Sequence, residues 1–416
     1  MATGVGNAVE WFDWAIYATF ASYIAHNLFS PSDPSSAFMS TLAIFAVGFL
    51  ARPLGGLLFG WLGDRVGRKF SMTLCVGLAS VGSLLIGIAP NYSSAGAWAS
   101  VTLLTARLIQ GLAHGGELPS AQTYLSETAP AERRGLWSSL IYFSGTCGNL
   151  VGTLIGAILA STLDAEAMNA WGWRLPFLLG AVLGLVGLIM RSTMHESEVF
   201  TAAVHEGKAG KTSSLARELR THWRSALRVI GLTVGLTVSY YVWAISAPAY
   251  AINQLHFSAS GALWAGVVAN VVFIVSLPLW GMASDKFGRR PIMMVSGLGA
   301  AALYFPASTL LKDQAWQLAV AMTLMLVFIG ASASIVPAIY SELFPTSVRT
   351  VGVALPYALT VAAFGGTAAY LQAGMNQWFG AQGPTMFGIY AVVLLLTGVV
   401  TAVTMPETKG KDLSAT

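Results

Sequence analysis

Charge is scarce in this chain. Only 10% of its 416 residues are Asp, Glu, Lys or Arg, where a soluble globular protein carries roughly 25%. Cysteine is scarcer still: Cys75 and Cys147 lie in separate apolar runs. That excludes a disulfide framework or a cysteine metal site and leaves two buried, reduced thiols. The sequence also lacks metal-ligand spacing, a Walker loop and a nucleophile elbow. No metal, no cofactor and no enzymatic activity are therefore expected, and any work must draw on an ion or solute gradient. The first apolar run has no basic region before it, is too long for a signal-peptide core and contains acids, so no cleavable signal is expected.

What fills the chain instead is apolar sequence: 55% hydrophobic residues, 44 glycines and a mean hydropathy of +0.66. Apolar runs of helical length fall near residues 4–26, 38–60, 71–89, 98–124, 136–161 and 174–191. Six more fall near 228–254, 261–283, 291–311, 315–340, 351–374 and 384–405. Each supplies the ~20 residues that a bilayer core requires. This predicts an all-α membrane protein with twelve transmembrane helices in two six-helix halves, 1–191 and 228–416, joined by a charged linker at 192–227. Eighteen of the 22 basic residues sit in connections of one parity, the linker and the tail. By the positive-inside rule that side is cytoplasmic, with both termini on it. The formal charge of +4 reflects this bias and not nucleic-acid binding.

The halves repeat one another. "GWLGDRVGRK" (60–69) recurs as "GMASDKFGRR" (281–290), and "SETAPAERRG" (126–135) as "SELFPTSVRT" (341–350). The second pair aligns Glu127 with Glu342 and Arg134 with Arg349. Duplicated halves are an architecture in which a site forms at the midplane between repeats. Charged groups beside helix ends on the cytoplasmic face can hold one conformation shut. Asp64, Arg65, Arg68, Glu127, Arg134, Asp285, Arg289, Glu342 and Arg349 are the candidate gate residues.

The "GDRVGRK" loop resembles the signature of the major facilitator superfamily, and "RLIQGLAHGGE" (107–117) resembles its Arg-x-x-Gln-Gly motif. "GNAVEWFDW" (6–14), with Trp14 where Phe is usual, "GFLARPLGG" (48–56) and "WGWRLPF" (171–177) resemble the metabolite:proton symporter family within it. Fragments such as "TYLSETA" and "FGGTAAYLQ" look most like the 2-oxoglutarate permease branch, then the proline/betaine permease branch. The resemblance implies alternating access and places the first and fourth helices of a half side by side at a central cavity.

Five charged residues lie inside the spans, clear of their ends: Glu10, Asp13, Arg52, Arg107 and Glu117. A charge at the bilayer centre costs about 3 kcal/mol on insertion scales, so each should face a cavity or a partner. At ~100° per residue, Glu10, Asp13 and Tyr17 share one helical face, as do Arg107, Gln110, His114 and Glu117. With the two helices adjacent, Asp13 is expected to meet Arg107. An acid that trades a cationic partner for a desolvated setting also trades its proton. Asp13 is thus the expected proton-coupling acid, with Glu10 and Glu117 as rivals. A static ion-pair network that fixes helix packing is the alternative. Arg52, beside Pro53, reads as a snorkelling or bracing residue.

Arg107 suits a substrate carboxylate, with His114 as a possible hydrogen-bonding neighbour. Tyr17, Asn149, Tyr240, Trp243, Asn270 and Tyr357 complete the candidate substrate site. In "SYYVWAISAPAY" (239–250), Tyr240, Trp243 and Tyr250 follow helical spacing. Such a stripe is ordinarily packing, yet aromatic faces also bind quaternary ammonium. The expected function is proton symport of a small organic acid such as 2-oxoglutarate across a bacterial inner membrane, by a monomer. The alternative is symport of a zwitterionic osmolyte such as proline or betaine; a non-transporting membrane sensor is more remote.

Overall fold

The structure is a computed structural model that describes residues 2–66, 68–115, 125–126, 128–192, 221–345, 348–411 and 413. Its long helices are α1 (Ala2–Thr19), α2 (Pro34–Arg65), α3 (Arg68–Gly87), α4 (Ala97–Ala113), α5 (Arg134–Thr162) and α6 (Leu175–Ser192). The second set is α7 (Trp223–Tyr240), α8 (Ala259–Phe287), α9 (Arg289–Leu310), α10 (Ala315–Leu343), α11 (Arg349–Thr360) and α12 (Gly383–Thr404). Among the described residues, 9 segments are long and apolar enough to cross a membrane, and the last of these, Gly352–Thr404, contains both α11 and α12. The two that fall short are α1, which carries Glu10 and Asp13, and α4, with 17 described residues. The two acids lower the hydropathy of α1, and α4 is too short by its described length. The predicted twelve-helix architecture is therefore present.

Local chemistry sets the helix starts. Asp33 caps α2 through the Ser36 N–H (3.1 Å), with Pro34 in the first turn. Ser258 caps α8 through the Gly261 N–H (3.2 Å). Both follow the preference for short polar caps at helix starts. Large apolar side chains such as Leu54, Val182, Val275 and Val400 are exposed on the outer surface, as a lipid-facing wall requires. Cys75 and Cys147 are half-buried, not fully buried as expected, and form no disulfide.

Two helices depart from α geometry near mid-span. α7 passes through a π-helical segment, Tyr241–Ser246, before continuing as Ala247–Gln254. α11 does the same at Val361–Gly365 before Gly366–Phe379. π segments add a residue to a turn and mark functional sites more often than chance. Here the two pack together, because a Cβ on Gly365 would overlap Thr237 and Tyr241 of α7.

The first and fourth helices are both pressed onto their neighbours by missing side chains. A Cβ on Gly148 of α5 would overlap the Ala8 carbonyl of α1. A Cβ on Gly111 of α4 would overlap the Gly48 carbonyl of α2, and one on Gly55 would overlap the Leu112 backbone. Backbone contact of this kind is what small residues permit between membrane helices.

Candidate functional site

Four charged residues cluster inside the N-terminal half: Glu10 and Asp13 from α1, Arg52 from α2 and Arg107 from α4. All four are buried or nearly so. Glu10 pairs directly with Arg52. The bracing role expected for Arg52 is thus an ion pair with a rival coupling acid, and α2 runs on through Pro53 beside it.

Asp13 does not meet Arg107 directly. Its Oδ1 accepts from Ser83 of α3 at 3.0 Å, and Ser83 Oγ accepts from Gln110 Nε2 at 2.9 Å. Gln110 Oε1 in turn accepts from Arg107 Nη1 at 2.9 Å. Acid and base are therefore joined through two neutral side chains. Asp13 also lies against α6, where a Cβ on Gly180 would come within 2.8 Å of its Oδ1. His114 closes α4, and its Nε2 stands 3.8 Å from Asp13 Oδ2, beyond hydrogen-bonding distance.

Arg107 is held by rings. Its Cζ lies 4.0 Å from the Trp14 ring centroid, 4.3 Å from that of Tyr17 and 5.4 Å from that of Phe45. Tyr17 is itself anchored by donating to the Thr41 carbonyl at 2.9 Å. Arg52 also stacks on Trp14, at 5.1 Å. With Nη1 given to Gln110, the Nε and Nη2 of Arg107 are buried and have no hydrogen-bond partner. These two atoms form one edge of the guanidinium, the fork that takes a carboxylate in bidentate fashion.

A second cluster is aromatic and spans both halves. Tyr240 of α7 has ring neighbours in Trp11 (5.5 Å), Tyr142 (5.7 Å), Tyr241 (5.6 Å) and Phe273 (6.0 Å). Its hydroxyl accepts from Asn149 Nδ2 at 2.6 Å. Tyr357 lies beside Tyr340, at 6.1 Å. The π segment upsets the expected α7 stripe: Trp243 pairs with Tyr304 of α9 (5.9 Å), and Tyr250 accepts from Asn376 (2.7 Å). Asn270 donates to Gly266 of its own helix at 2.9 Å, leaving its Oδ1 buried and unpaired. The clusters touch through Phe49, whose ring lies 4.0 Å from Trp14 and 5.0 Å from Tyr241. A narrow crevice between the halves is lined by Phe38, Leu42, Phe45, Tyr250 and Gln372, among others.

On the predicted cytoplasmic face, the halves are locked by charge. Glu342 of α10 accepts from Arg134 Nη1 at 3.0 Å and from Arg289 Nη2 at 3.3 Å. Asp285, at the end of α8, accepts from the Gly135 and Leu136 N–H groups at 2.8 and 2.9 Å, where the start of α5 favours an anion. Arg134 Nε donates to the Ser126 carbonyl, and Arg349 Nε to the Ser341 carbonyl. Each reaches eight residues back, so the sequence repeat is also a repeat of contacts. Thr408, Lys411 and Leu413, which were no part of the expected set, join this network. Thr408 donates to Glu342 at 2.6 Å, Arg134 donates to the Lys411 carbonyl at 2.9 Å, and Arg349 to the Leu413 carbonyl at 3.1 Å. Two of these three contacts go to backbone carbonyls, which carry no sequence signal. The side chains of Asp64, Arg65 and Arg68, and Glu117 and Glu127 altogether, lie outside the described residues. At the opposite end closure is neutral: Asn253 with Ser22, and Ser161 with Ser260 (2.8 Å).

The family profile described as "Sugar (and other) transporter" matches residues 1–223 and 206–416. The proline/betaine transporter of Escherichia coli is 34% identical over 432 residues, covering 99% of this chain and 84% of that one. The alpha-ketoglutarate permease of the same species is 37% identical over 368 residues, covering 88% and 84%. A solved structure of a proton:xylose symporter superposes with a TM-score of 0.76 at 21% identity, covering 99% of this chain and 96% of the other. The twelve helices, the duplicated Arg134 and Arg349 contacts and these relatives lead to one conclusion: the chain belongs to the major facilitator superfamily, in its metabolite:proton symporter family, and is a multi-pass membrane transporter, not an enzyme.

Proposed function

We propose that the chain takes up a small zwitterion of the proline or betaine class together with a proton, across a bacterial inner membrane. The observation that carries this reading is the charge balance of the site. Among the described residues its two acids and two arginines cancel, and the Nε–Nη2 edge of Arg107 is buried with no hydrogen-bond partner. A zwitterion offers one carboxylate to that edge and adds no net charge. Its cationic end suits the ring cluster around Tyr240, since aromatic faces attract quaternary ammonium. The proline/betaine relatives, aligned over nearly the whole chain, support the same choice.

Asp13 is the proposed proton carrier. Its hydrogen bond comes from a serine hydroxyl and its arginine is reached through Gln110, so protonation breaks no direct ion pair. The Glu10–Arg52 pair is the rival. The halves 1–191 and 228–416 would rock about the central site, the linker 192–227 tethering them and the Glu342 network opening and closing the cytoplasmic face.

The second reading is an organic acid such as 2-oxoglutarate, favoured by the 37% identity to the alpha-ketoglutarate permease. The sequence alone put this first. A dianion, however, brings two negative charges to a site with one unpartnered arginine edge, and burying uncompensated charge is costly. Labelled glycine betaine and labelled 2-oxoglutarate, offered in parallel to proteoliposomes under an inward proton gradient, decide between them. Betaine accumulation that a protonophore abolishes supports the proposal. Accumulation of 2-oxoglutarate alone overturns it.

A further inference from the structure

Arg107 is placed in an unusual way for a buried cation. Among the described residues no carboxylate pairs with it; its faces rest on Trp14 and Tyr17, and a single in-plane bond goes to Gln110. We infer that Trp14 is a positioning residue for substrate: it holds the Arg107 guanidinium by the face so that the Nε–Nη2 edge stays available to a carboxylate. This inference rests on the reading of Arg107 as the carboxylate anchor.

The surroundings are shaped for that contact. Trp14 is buried at 4% exposure and wedged by Phe49 at 4.0 Å and Phe45 at 5.6 Å. On α2 the facing residue is Gly48. A Cβ there would come 3.1 Å from Trp14 Cη2, 3.3 Å from the Arg107 carbonyl and 3.5 Å from Arg107 Nε. A side chain at 48 would thus crowd both partners of the stack and the edge itself. Division of labour follows from the chemistry. A carboxylate partner would occupy the fork, whereas a ring attracts the cation through its face and leaves the in-plane donors free. Phe45, 5.4 Å from the guanidinium carbon, is also part of the lining of the crevice between the halves.

Trp14 has a second contact that makes its role more than local. Arg52, the partner of Glu10, stacks on the same indole. Beyond Phe49 lies Tyr241, in the π segment of α7. Displacing Arg107 when substrate binds would be felt at the Glu10–Arg52 pair through Trp14, and at α7 through Trp14 and Phe49.

The test is uptake kinetics of glycine betaine in proteoliposomes for Trp14→Leu, Trp14→Met, Trp14→Phe and Trp14→Tyr, with thermal unfolding measured alongside. Loss of the aromatic face should raise KM roughly ten-fold, the size expected of a desolvated cation–π contact, with the maximal rate little changed. The phenylalanine and tyrosine variants should largely restore KM. In an Arg107→Gln background, Trp14→Leu should add nothing further. Unchanged KM in the leucine and methionine variants, or full additivity with Arg107→Gln, would overturn the inference while leaving the transport reading intact. If neither the leucine nor the methionine variant folds, Trp14 is a packing residue and the inference also fails. A wild-type KM in Arg107→Gln alone would instead remove the anchor on which it rests, and with it the proposed carboxylate site.

Discussion

Glutamine in place of Glu342 should open the cytoplasmic face. The Glu342 carboxylate is fully buried and is shared by Arg134 and Arg289, themselves 3% and 0% exposed. Removing one partner of a buried ion pair costs about 3–5 kcal/mol, because the remaining charge is stranded. Glutamine keeps one acceptor oxygen, and the bonds of Arg134 to Ser126 and Lys411 persist, so the lower bound of about 3 kcal/mol applies. That cost falls only on the closed state, since the arginines meet water once the halves part. At about 1.4 kcal/mol per tenfold, the equilibrium should move roughly a hundredfold towards the open cytoplasmic face. A reporter lies close by: Ser138 of α5 is buried and donates to the Ser334 carbonyl across the seam at 2.7 Å. With Cys75 and Cys147 replaced by alanine, Ser138→Cys should react with an impermeant thiol reagent in inside-out vesicles far faster when Glu342→Gln is present. An unchanged labelling rate, in protein that unfolds at the wild-type temperature, would refute the idea that this network holds the face shut.

Three further outcomes are expected. Asp13→Asn should abolish gradient-driven accumulation while sparing substrate exchange between preloaded vesicles and medium; loss of both would make Asp13 structural, as part of its Ser83–Gln110 chain. Glu407 anchors the tail to α9. Burial pushes its carboxyl up, but the N–H groups of Arg289, Lys409, Arg290 and Thr408 more than offset this and hold it below the ordinary 4.5. A depressed folded value gives stability that is present above the ordinary range and lost as pH falls through the folded value. Proteolysis of the tail in inside-out vesicles should therefore accelerate only below about pH 4.5, and an onset near neutrality would contradict the anchoring. Gly111→Leu should destabilise the α2–α4 contact by at least the ~1–3 kcal/mol typical of overpacking, visible as a lower unfolding temperature, because its Cβ would overlap the Gly48 carbonyl; an unchanged unfolding temperature would contradict that contact.

Much of this was legible in the sequence, for identifiable reasons. The spans follow from hydropathy, which depends on the bilayer more than on tertiary packing. Part of the cytoplasmic-face network was readable because duplication wrote it twice: Arg134 and Arg349 occupy aligned positions and make the same Nε contact. The partners of charged groups were not legible. Asp13 and Arg107 occupy the expected neighbouring helices, yet a serine and a glutamine stand between them. Arg52, read from the sequence as a snorkelling or bracing residue, is the partner of Glu10. Helical spacing gives the face of a residue, not the depth and tilt that decide its contact. The stripe over Tyr240, Trp243 and Tyr250 broke because the π segment between them shifts the helical phase, and no residue there announces that shift. Stacking of Arg107 on Trp14 and Tyr17 joins two spans ninety residues apart, which one sequence alone does not pair.

The central claim, co-transport of a neutral zwitterion with a proton, is tested most directly by the charge moved per substrate. One betaine carried with one proton brings one positive charge inward per cycle. Electrical recording from supported membranes of the reconstituted protein, with no initial pH difference, should show an inward positive current on adding betaine and none in Asp13→Asn. Betaine uptake without current, or current evoked by 2-oxoglutarate and not by betaine, would contradict the account.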